Sequence, residues 1–468
     1  MKKCFVFLLS LTAFLIAMNV YAYSEDYGYI IKLKEKPYMT LSEESEILPI
    51  VTEENLYLTD SEEIAKMYYE CGMAEYYEPD YPVYAHTLPS DYLYSYQWDS
   101  QMINADSAWE LETYGNEIRV AVIDSGCYNH TDISENLLSG YNYVANSTNT
   151  NDTFGHGTHV SGIIASAMND TGICGVAPKA KIVPLKVMEG KTASTSNIIK
   201  ALRDAVNLYD CKVINMSLGA VIDVENGEEY PQSLEDAVNY AVSKGAIVIA
   251  SAGNEGIDGL PYSYPAAFEN VISVGAVDHN KKKADFSNNN DKVLIYAPGT
   301  KILSTYIGNG YAYSNGTSMS APMISAAAAI ALSIDDSLTQ KSFETLLINS
   351  VSEMKNKTDD IYGYGILDIN KMIENLLKEK KFYMSPVNIT EDGSYVMLVS
   401  NTTSPVSAYS VCAVYNNNKY LASDTKPTYL LPEKKVIIKQ NVTNNVKYFF
   451  WSNLNTLKPL TESREYFK

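Results

Sequence analysis

The chain has 468 residues, of which 46% are hydrophobic and 20% are charged, a composition that excludes an intrinsically disordered protein. The formal net charge of −20 argues against nucleic acid and anionic membrane as partners, because the long-range field repels both. The six cysteines, at positions 4, 71, 127, 174, 211 and 412, show no CxxC pair and no even spacing, so neither a metal cluster nor a disulfide framework is predicted.

The N-terminal residues have the pattern of a secretory signal. Lys2 and Lys3 precede an apolar run over residues 4–18, and Val20 and Ala22 are small residues at the two positions that signal peptidase reads. An uncleaved membrane anchor is the alternative, but the run is shorter than the roughly 20 residues of a spanning helix. We predict a signal peptide over residues 1–22, a secreted protein, and no other stretch able to span a bilayer.

Residues 23–85 are predicted to form a compact α+β module. Residues 29–33 alternate like a strand, residues 61–69 have helical character, and residues 74–81 return to a strand pattern. Pro79, Pro82 and Pro89 then punctuate a tyrosine-rich stretch, which favours an exposed linker open to cleavage.

From residue 86 to 376, short buried strands alternate with helices, which is typical of a parallel sheet covered on both faces. β-branched apolar runs predict strands at 118–123, 181–187, 213–216, 246–250 and 271–274. Composition and length predict helices over 157–167, 195–208, 233–244 and 318–333. The predicted fold class of this domain is α/β. Beyond Lys378 the alternating runs at 395–399 and 435–439 predict a small all-β domain over residues 377–468.

Hydrolysis at a carbonyl requires a nucleophile, a base, a group that orients the base, and donors for the developing oxyanion. Asp124 ends an apolar strand in VAVIDSG, which places it at the carboxyl edge of the sheet. His156 lies between glycines in FGHGTHVSG, at the start of a helix, where another chain can approach closely. A metal pair formed by His156 and His159 is the alternative, although zinc motifs usually space their histidines by four.

Two further polar residues follow turn segments. Ser318, in NGTSMSAP, begins an alanine-rich helix, where backbone N–H groups and the helix dipole surround its hydroxyl. Read alone, Ser318 would be a simple N-cap serine, which is commoner than a nucleophile. Asn254, in SAGNEG, follows a buried strand and on its own would be a turn asparagine.

Together with INMSLG, these four motifs resemble those of the subtilisin family of serine peptidases, and the resemblance covers about residues 91–375. It implies that Ser318 attacks the scissile carbonyl, that His156 transfers the proton, and that Asp124 holds the imidazole tautomer. The Asn254 amide and the Ser318 backbone N–H would bind the oxyanion. A monomer acting on protein or peptide substrates is expected.

The resemblance also implies substrate-binding segments and a maturation step. Ser217, Leu218 and Gly219 would pair with an extended substrate backbone. The pocket walls would come from Ala252, Gly253, Glu255 and Ser263. Residues 23–85 would be an inhibitory propeptide, cut by the enzyme between Tyr84 and Pro89. Cleavage after Tyr84 would imply large apolar or aromatic residues at the first and fourth substrate positions, whereas Glu255 would instead favour a basic residue.

A calcium loop is implied by the segment that follows the histidine helix. Asn169 would donate a side-chain oxygen, and Ala167, Thr171 and Ile173 would donate backbone carbonyls. Asp91 and Asp132 would supply carboxylates, the ligands that a hard cation prefers. A solvated turn is the alternative.

Two rival functions are consistent with the same motifs. An inactive relative retained for binding would normally have lost a member of the triad or the oxyanion donor, and all four residues are present. An enzyme whose only target is its own propeptide is the second rival. Cys127, near Asp124, is expected to be a small buried residue, with redox or mercury sensitivity as the alternative.

Overall fold

The structure, a computed structural model, describes residues 29–35, 47–51, 54–59, 61–79, 89–355, 357–378, 380–390, 393–400, 406–416, 419–430, 435–440, 445–452, 460–461 and 463–466. The predicted signal peptide and the predicted cleavage range, apart from Pro89, lie outside these residues. Contacts divide the described residues into two compact units, one with those that fall within 1–86, 389–395 and 438–444 and the other with the remainder. The predicted boundaries at residues 22, 85 and 376 stay predictions.

An antiparallel sheet packed on a helix forms the N-terminal part of the first unit. Its strands are β1 (Tyr29–Leu33), β2 (Leu48–Val51), β3 (Leu56–Thr59) and β4 (Ala74–Pro79), in the order β2-β3-β1-β4. Helix α1 (Glu62–Glu70) begins where the Ser61 hydroxyl accepts a hydrogen bond from the Ile64 N–H, at 3.3 Å. Ile31, Tyr57 and Ala65 are buried between sheet and helix.

The second unit contains a large sheet with helices on both of its faces. The strands of its N-terminal half are β5 (Arg119–Asp124), β6 (Tyr141–Asn142), β7 (Lys181–Lys186), β8 (Met188–Glu189), β9 (Thr192–Ala193), β10 (Val213–Met216), β11 (Ala220–Ile222), β12 (Ile247–Ser251) and β13 (Tyr262–Tyr264). They are followed by β14 (Ile272–Val277), β15 (Val293–Pro298), β16 (Ile302–Tyr306), β17 (Gly310–Ser314), β18 (Val351–Ser352) and β19 (Ile366–Leu367). The helices are α2 (Trp98–Met102), α3 (Asp106–Trp109), α4 (His156–Ala165), α5 (Thr195–Asn207), α6 (Gln232–Ser243), α7 (Thr317–Ile334), α8 (Gln340–Ile348) and α9 (Ile369–Leu377).

The sheet order is β18-β19-β15-β14-β12-β10-β5-β7-β6, and its neighbours are parallel except for β18 and β19. Alternate residues of a strand face opposite sides, so Val120 and Val122 pack toward α4 and α7, whereas Ala121 and Ile123 pack toward α5 and α6. The predicted α/β class is confirmed. The predicted helix over 157–167 ends earlier, at Ala165, because Ser166 is no longer helical.

Helix α7 is the centre of the larger core. Its apolar residues lie against β10, β12, β14 and β15, and almost every one of its side chains is buried. Within the part of the chain that the structure describes, it is the one helix long and apolar enough to cross a membrane, and 94% of it is buried inside the protein. Its hydrophobicity is therefore that of a core helix.

The C-terminal strands are β20 (Phe382–Met384), β21 (Asn388–Thr390), β22 (Gly393–Ser400), β23 (Val406–Asn416), β24 (Lys419–Leu430), β25 (Lys435–Gln440), β26 (Val446–Trp451) and β27 (Arg464–Tyr466). Four of them form an antiparallel sheet in the order β24-β23-β26-β27. Tyr383, Met397 and Val399 belong to the same buried cluster as α7 and α9. These side chains therefore complete the core of the second unit.

Candidate active site

Asp124 is the last residue of β5, and its side chain is fully buried. The chain turns sharply after it, since Gly126 has a φ of +100°, a conformation that favours glycine. A Cβ at Gly157 would collide with the carbonyl oxygen of Gly126 and approach the Asp124 carboxylate. Glycine at this position therefore lets the start of α4 lie directly on the end of β5.

His156 opens α4 and contacts that carboxylate. Its Nδ1 lies 2.8 Å from Oδ1 and 2.9 Å from Oδ2 of Asp124, while 24% of its side chain remains exposed. Burial lowers the pKa of His156, but the charge and hydrogen bond of Asp124 outweigh it, and Asp152 adds to their effect, so the pKa is raised above its usual value. The contact with Asp124 places the proton on Nδ1 and leaves Nε2 as the acceptor.

A second carboxylate caps the same helix. Asp152 is 1% exposed, and its Oδ1 accepts hydrogen bonds from the backbone N–H groups of Phe154 and Gly155, each at 2.9 Å. Its Oδ2 accepts from the N–H of Thr158 at 3.0 Å and from the Thr158 hydroxyl at 2.7 Å. Asp152 thus fixes the loop and first turn that carry His156, a role that the sequence motifs alone did not indicate.

Ser318 is the second residue of α7, directly after Gly316 and Thr317. Its hydroxyl donates to the carbonyl oxygen of Ser217 at 3.2 Å. No hydrogen bond between Ser318 and His156 is formed among the described residues, although both side chains line one cavity. The first backbone N–H groups of the helix, including that of Ser318, point out of its N-terminus.

Asn254 is held against the same helix terminus. Its Oδ1 accepts from the N–H of Thr317 at 2.8 Å and from the Thr317 hydroxyl at 3.0 Å. The Thr317 hydroxyl in turn accepts from the N–H of Gly253 at 3.2 Å. Because the carbonyl side of the Asn254 amide is engaged, its Nδ2 is left as the donor on the cavity side.

These groups line a cavity of about 480 Å³. Of the residues predicted to bind substrate, Ser217, Leu218, Gly219, Gly253, Glu255 and Ser263 line it, whereas Ala252 is buried beneath. Further apolar lining that the sequence did not indicate comes from Ile198, Ile222 and Leu234. Among the wall residues, the Glu255 carboxylate accepts from the side-chain amide of Asn288 at 2.7 Å.

Two of the predicted cation ligands, Asp91 and Asp132, are buried carboxylates that accept hydrogen bonds from the loop at residues 167–173. Asp132 accepts from the N–H of Ile173 at 3.0 Å, and Asp91 accepts from the N–H of Asn169 at 3.1 Å. One buried oxygen of each carboxylate has no hydrogen-bond partner. Burial raises the pKa of Asp132 to about 7 and raises the pKa of Asp91. Two buried carboxylates, each with one oxygen that accepts no hydrogen bond, suit a hard cation.

The remaining predicted ligands occupy the same loop. Ala167 and Ile173 are buried, whereas Asn169 and Thr171 are exposed. The Asn169 side-chain oxygen accepts from the Thr171 N–H at 3.1 Å, so it is partly engaged within the loop. Across the described ranges, no group of three or more His, Cys, Asp or Glu side chains is arranged to hold a metal. A cation here would therefore depend on amide and backbone oxygens besides Asp91 and Asp132.

His159 and Cys127, the two other residues singled out from the sequence, are both buried. The Nε2 of His159 lies 3.2 Å from the carbonyl of Ile302 and 3.0 Å from that of Ala312, and burial lowers the pKa of His159 to about 4. His159 therefore points away from His156 into the core. Cys127 is 3% exposed, and burial raises the pKa of its thiol to about 12. Cys71, Cys127, Cys174 and Cys211 form no disulfide in the part of the chain that the structure describes.

Comparisons with known proteins give one consistent result. The sequence profile of the subtilase family, Peptidase_S8, matches residues 115–365. The thermophilic serine proteinase of Bacillus sp. (strain AK1) is 40% identical over 262 residues, which cover 55% of this chain and 63% of that protein. Subtilisin Savinase of Lederbergia lenta is 35% identical over 275 residues, covering 58% of this chain and 97% of that protein.

Two further similarities differ in extent. The minor extracellular protease Epr of Bacillus subtilis (strain 168) is 34% identical over 58% of this chain and 41% of its own length. The chain thus matches less than two thirds of the length of Epr and of the thermophilic proteinase. A solved protease structure from Pseudoalteromonas arctica PAMC 21717 superposes with a TM-score of 0.58 and 26% identity, over 62% of this chain and 100% of that one.

Proposed function

The chain belongs to the subtilase family of serine peptidases, and on this premise we propose that it is a secreted serine endopeptidase that matures by cutting off its own propeptide. The observation that carries the proposal is the pairing of His156 with the buried Asp124, at 2.8 and 2.9 Å, beside a cavity that Ser318 and Asn254 also line. The supporting relatives are proteases, and one of them is an extracellular protease by name.

The proposed reaction begins when the Ser318 hydroxyl attacks the scissile carbonyl. His156 takes the hydroxyl proton at Nε2, because its Nδ1–H is donated to Asp124, and then returns the proton to the leaving amine. The negative charge that develops on the carbonyl oxygen would be bound by the Ser318 N–H and by Nδ2 of Asn254. Water then attacks the acyl-enzyme. His156 takes a proton from this water and returns it to Oγ of Ser318 as the acyl group leaves.

The proposed substrates are proteins or peptides bound as an extended strand along residues 217–219. The apolar lining by Ile198, Ile222 and Leu234 favours large apolar or aromatic substrate residues. The Glu255 carboxylate, which accepts a hydrogen bond from Asn288, keeps its charge, and a preference for a basic residue is the alternative. N-terminal sequencing of the mature enzyme should place the cut between residues 84 and 89. A mature terminus at or before Pro79, or strict cleavage after Lys and Arg, would contradict this specificity.

Calcium is the proposed structural cation of the loop at residues 167–173. Asp91 and Asp132 would bind it through their unpartnered oxygens, with Asn169 and the carbonyls of residues 167, 171 and 173. Bound calcium would neutralise the two buried carboxylates and so stabilise the fold. The proposed mature form is a monomer, with residues 23–85 acting as its inhibitor until they are cut.

The test compares the full-length protein with its Ser318→Ala variant. Wild type should release its propeptide, hydrolyse casein, and bind a fluorophosphonate at one serine. The variant should do none of these, whereas Ser337→Ala, which changes an exposed serine hydrogen-bonded to Asp335, should behave as wild type. Processing by purified Ser318→Ala would refute self-cleavage. Self-processing without any casein hydrolysis would favour the rival in which the propeptide is the only substrate.

A further inference from the structure

The helix that carries Ser318 contains a proline four residues later. In an α-helix the carbonyl of residue i accepts from the N–H of residue i+4. Pro322 lies inside α7 and has no N–H, so the carbonyl of Ser318 has no regular helical donor. A buried carbonyl without a donor is costly, and here it would belong to the nucleophile itself.

The hydroxyl of Ser217 supplies the missing hydrogen-bond donor. It donates to the carbonyl oxygen of Ser318 at 2.9 Å, and Ser217 is only 3% exposed. The carbonyl of Ser217 accepts the hydroxyl of Ser318 at 3.2 Å. The two residues are therefore joined by hydrogen bonds in both directions, one holding the backbone of Ser318 and the other its side chain.

A chain of buried side chains sets the direction of the Ser217 hydroxyl. Nδ2 of Asn215 donates to Oγ of Ser217 at 3.0 Å, and Oδ1 of Asn215 accepts from the hydroxyl of Ser325 at 2.9 Å. Asn215 and Ser325 are fully buried. Since Ser217 has a single hydroxyl hydrogen and already accepts from Asn215, that hydrogen is directed at Ser318.

We propose that Ser217, oriented by Asn215 and Ser325, is a positioning residue that replaces the backbone donor removed by Pro322 and holds Ser318 in place for attack. This inference rests on the proposed peptidase function. It gives the Ser217 hydroxyl a role separate from that of its backbone, which belongs to the substrate-binding edge. Proline at 322 and serine at 217 are then two parts of one arrangement.

Removing the hydroxyl of Ser217 should impair turnover without weakening substrate binding. Ser217→Ala should lower kcat about tenfold, the rate equivalent of one lost buried hydrogen bond, and leave KM within about twofold. The backbone of residues 217–219 still binds the substrate, whereas the nucleophile is misplaced. Ser325→Ala should lower kcat less, because the hydroxyl of Ser217 is retained and only its orientation is loosened. Rates are taken per active site, after titration with a fluorophosphonate.

The decisive variant is the double substitution Ser217→Ala with Pro322→Ala. Alanine at 322 restores an N–H that can donate to the Ser318 carbonyl, so the double variant should regain most of the lost kcat. Pro322→Ala alone is the background for this comparison, and the loss of kcat caused by Ser217→Ala should be smaller in that background than in the wild type. Ser333→Ala is the matched control, because its hydroxyl bonds to the Ile330 carbonyl in the same helix, away from the site.

The outcomes separate this inference from the proposed function. A wild-type protein that neither hydrolyses casein nor binds a fluorophosphonate would refute the peptidase function. With an active wild type, an unchanged kcat in Ser217→Ala, or a double variant as slow as Ser217→Ala, would overturn the positioning role. If Ser217→Ala does not fold, a double variant that folds and turns over would support the inference, and one that also does not fold would contradict it.

Discussion

Nδ1 of His156 lies almost equally far from the two carboxylate oxygens of Asp124, at 2.8 and 2.9 Å. The carboxylate is fully buried, so its charge acts on the imidazole with little screening by water. The start of α4 can approach the end of β5 this closely because residue 157 is glycine.

Asp124→Asn should fold and lose most of its activity. A neutral amide does not stabilise the imidazolium that forms during attack, and we expect kcat to fall by about 10³- to 10⁴-fold. Asp204→Asn is the matched control, since that carboxylate also accepts a side-chain hydrogen bond, from Tyr143 at 2.9 Å, and lies near the C-terminal end of α5 without lining the cavity. Activity of Asp124→Asn near that of wild type would remove Asp124 from the triad.

The pH dependence of kcat/KM should report His156. Because the protonated imidazole does not accept the serine proton, activity rises as the pH passes the pKa of His156, which is raised above about 6.5. Asp152→Asn removes a negative charge that favours the imidazolium. The pKa should therefore fall, and the acid limb of the profile should move to lower pH.

The charges close to Asp152 in the chain bear on the control for this shift. The ammonium of Lys186 lies 3.4 Å from the carbonyl of Asn151 and 3.5 Å from Glu189, and both side chains remain in Asp152→Asn. Thr158→Val removes a hydrogen bond to Asp152 but keeps the charge. Thr158→Val should lower activity without moving the acid limb of the pH profile. An equal shift of that limb in Thr158→Val and Asp152→Asn would refute the electrostatic explanation.

Removal of calcium should destabilise the mature enzyme. An ion bound by the folded state alone stabilises that state by mass action, so excess chelator should lower the thermal midpoint by roughly 5 °C or more. Asp132→Ala should start from a lower midpoint and no longer respond to chelator, whereas Asp336→Ala, at an exposed position, should respond as wild type. A melting curve that chelator leaves unchanged would rule out a stabilising calcium site.

Asn388 should be needed for the stability of the peptidase core. It is 1% exposed, and its side chain accepts from Lys179 at 2.8 Å and from Asn116 at 3.2 Å while donating to the carbonyl of Glu112. Asn388→Ala should lower the free energy of unfolding by about 1–3 kcal/mol and leave kcat per active site unchanged. Exposed Asn370→Ala serves as the control. An equal free energy of unfolding in Asn388→Ala and Asn370→Ala would mean that the Asn388 side chain does not stabilise the core.

Local sequence determined much of this protein. Runs of β-branched residues predicted the central strands to within a few residues, because a strand buried on both faces must be apolar throughout. The motif residues around Asp124, His156 and Ser318 were recognisable because glycines and helix starts must stand beside them for steric reasons. The catalytic roles assigned to these residues stay predictions until the variants are measured.

The tertiary structure alone decided which groups hold the motif residues in place. Thr317 lies 63 positions from Asn254, and Ser217 lies 101 positions from Ser318, so no local pattern indicated either hydrogen bond. The absence of an N–H at Pro322 is visible in the sequence, but the donor that replaces it is not. Local periodicity records which face of a strand or helix is buried, whereas the partner of a buried polar group is set by the packing of elements distant in the chain.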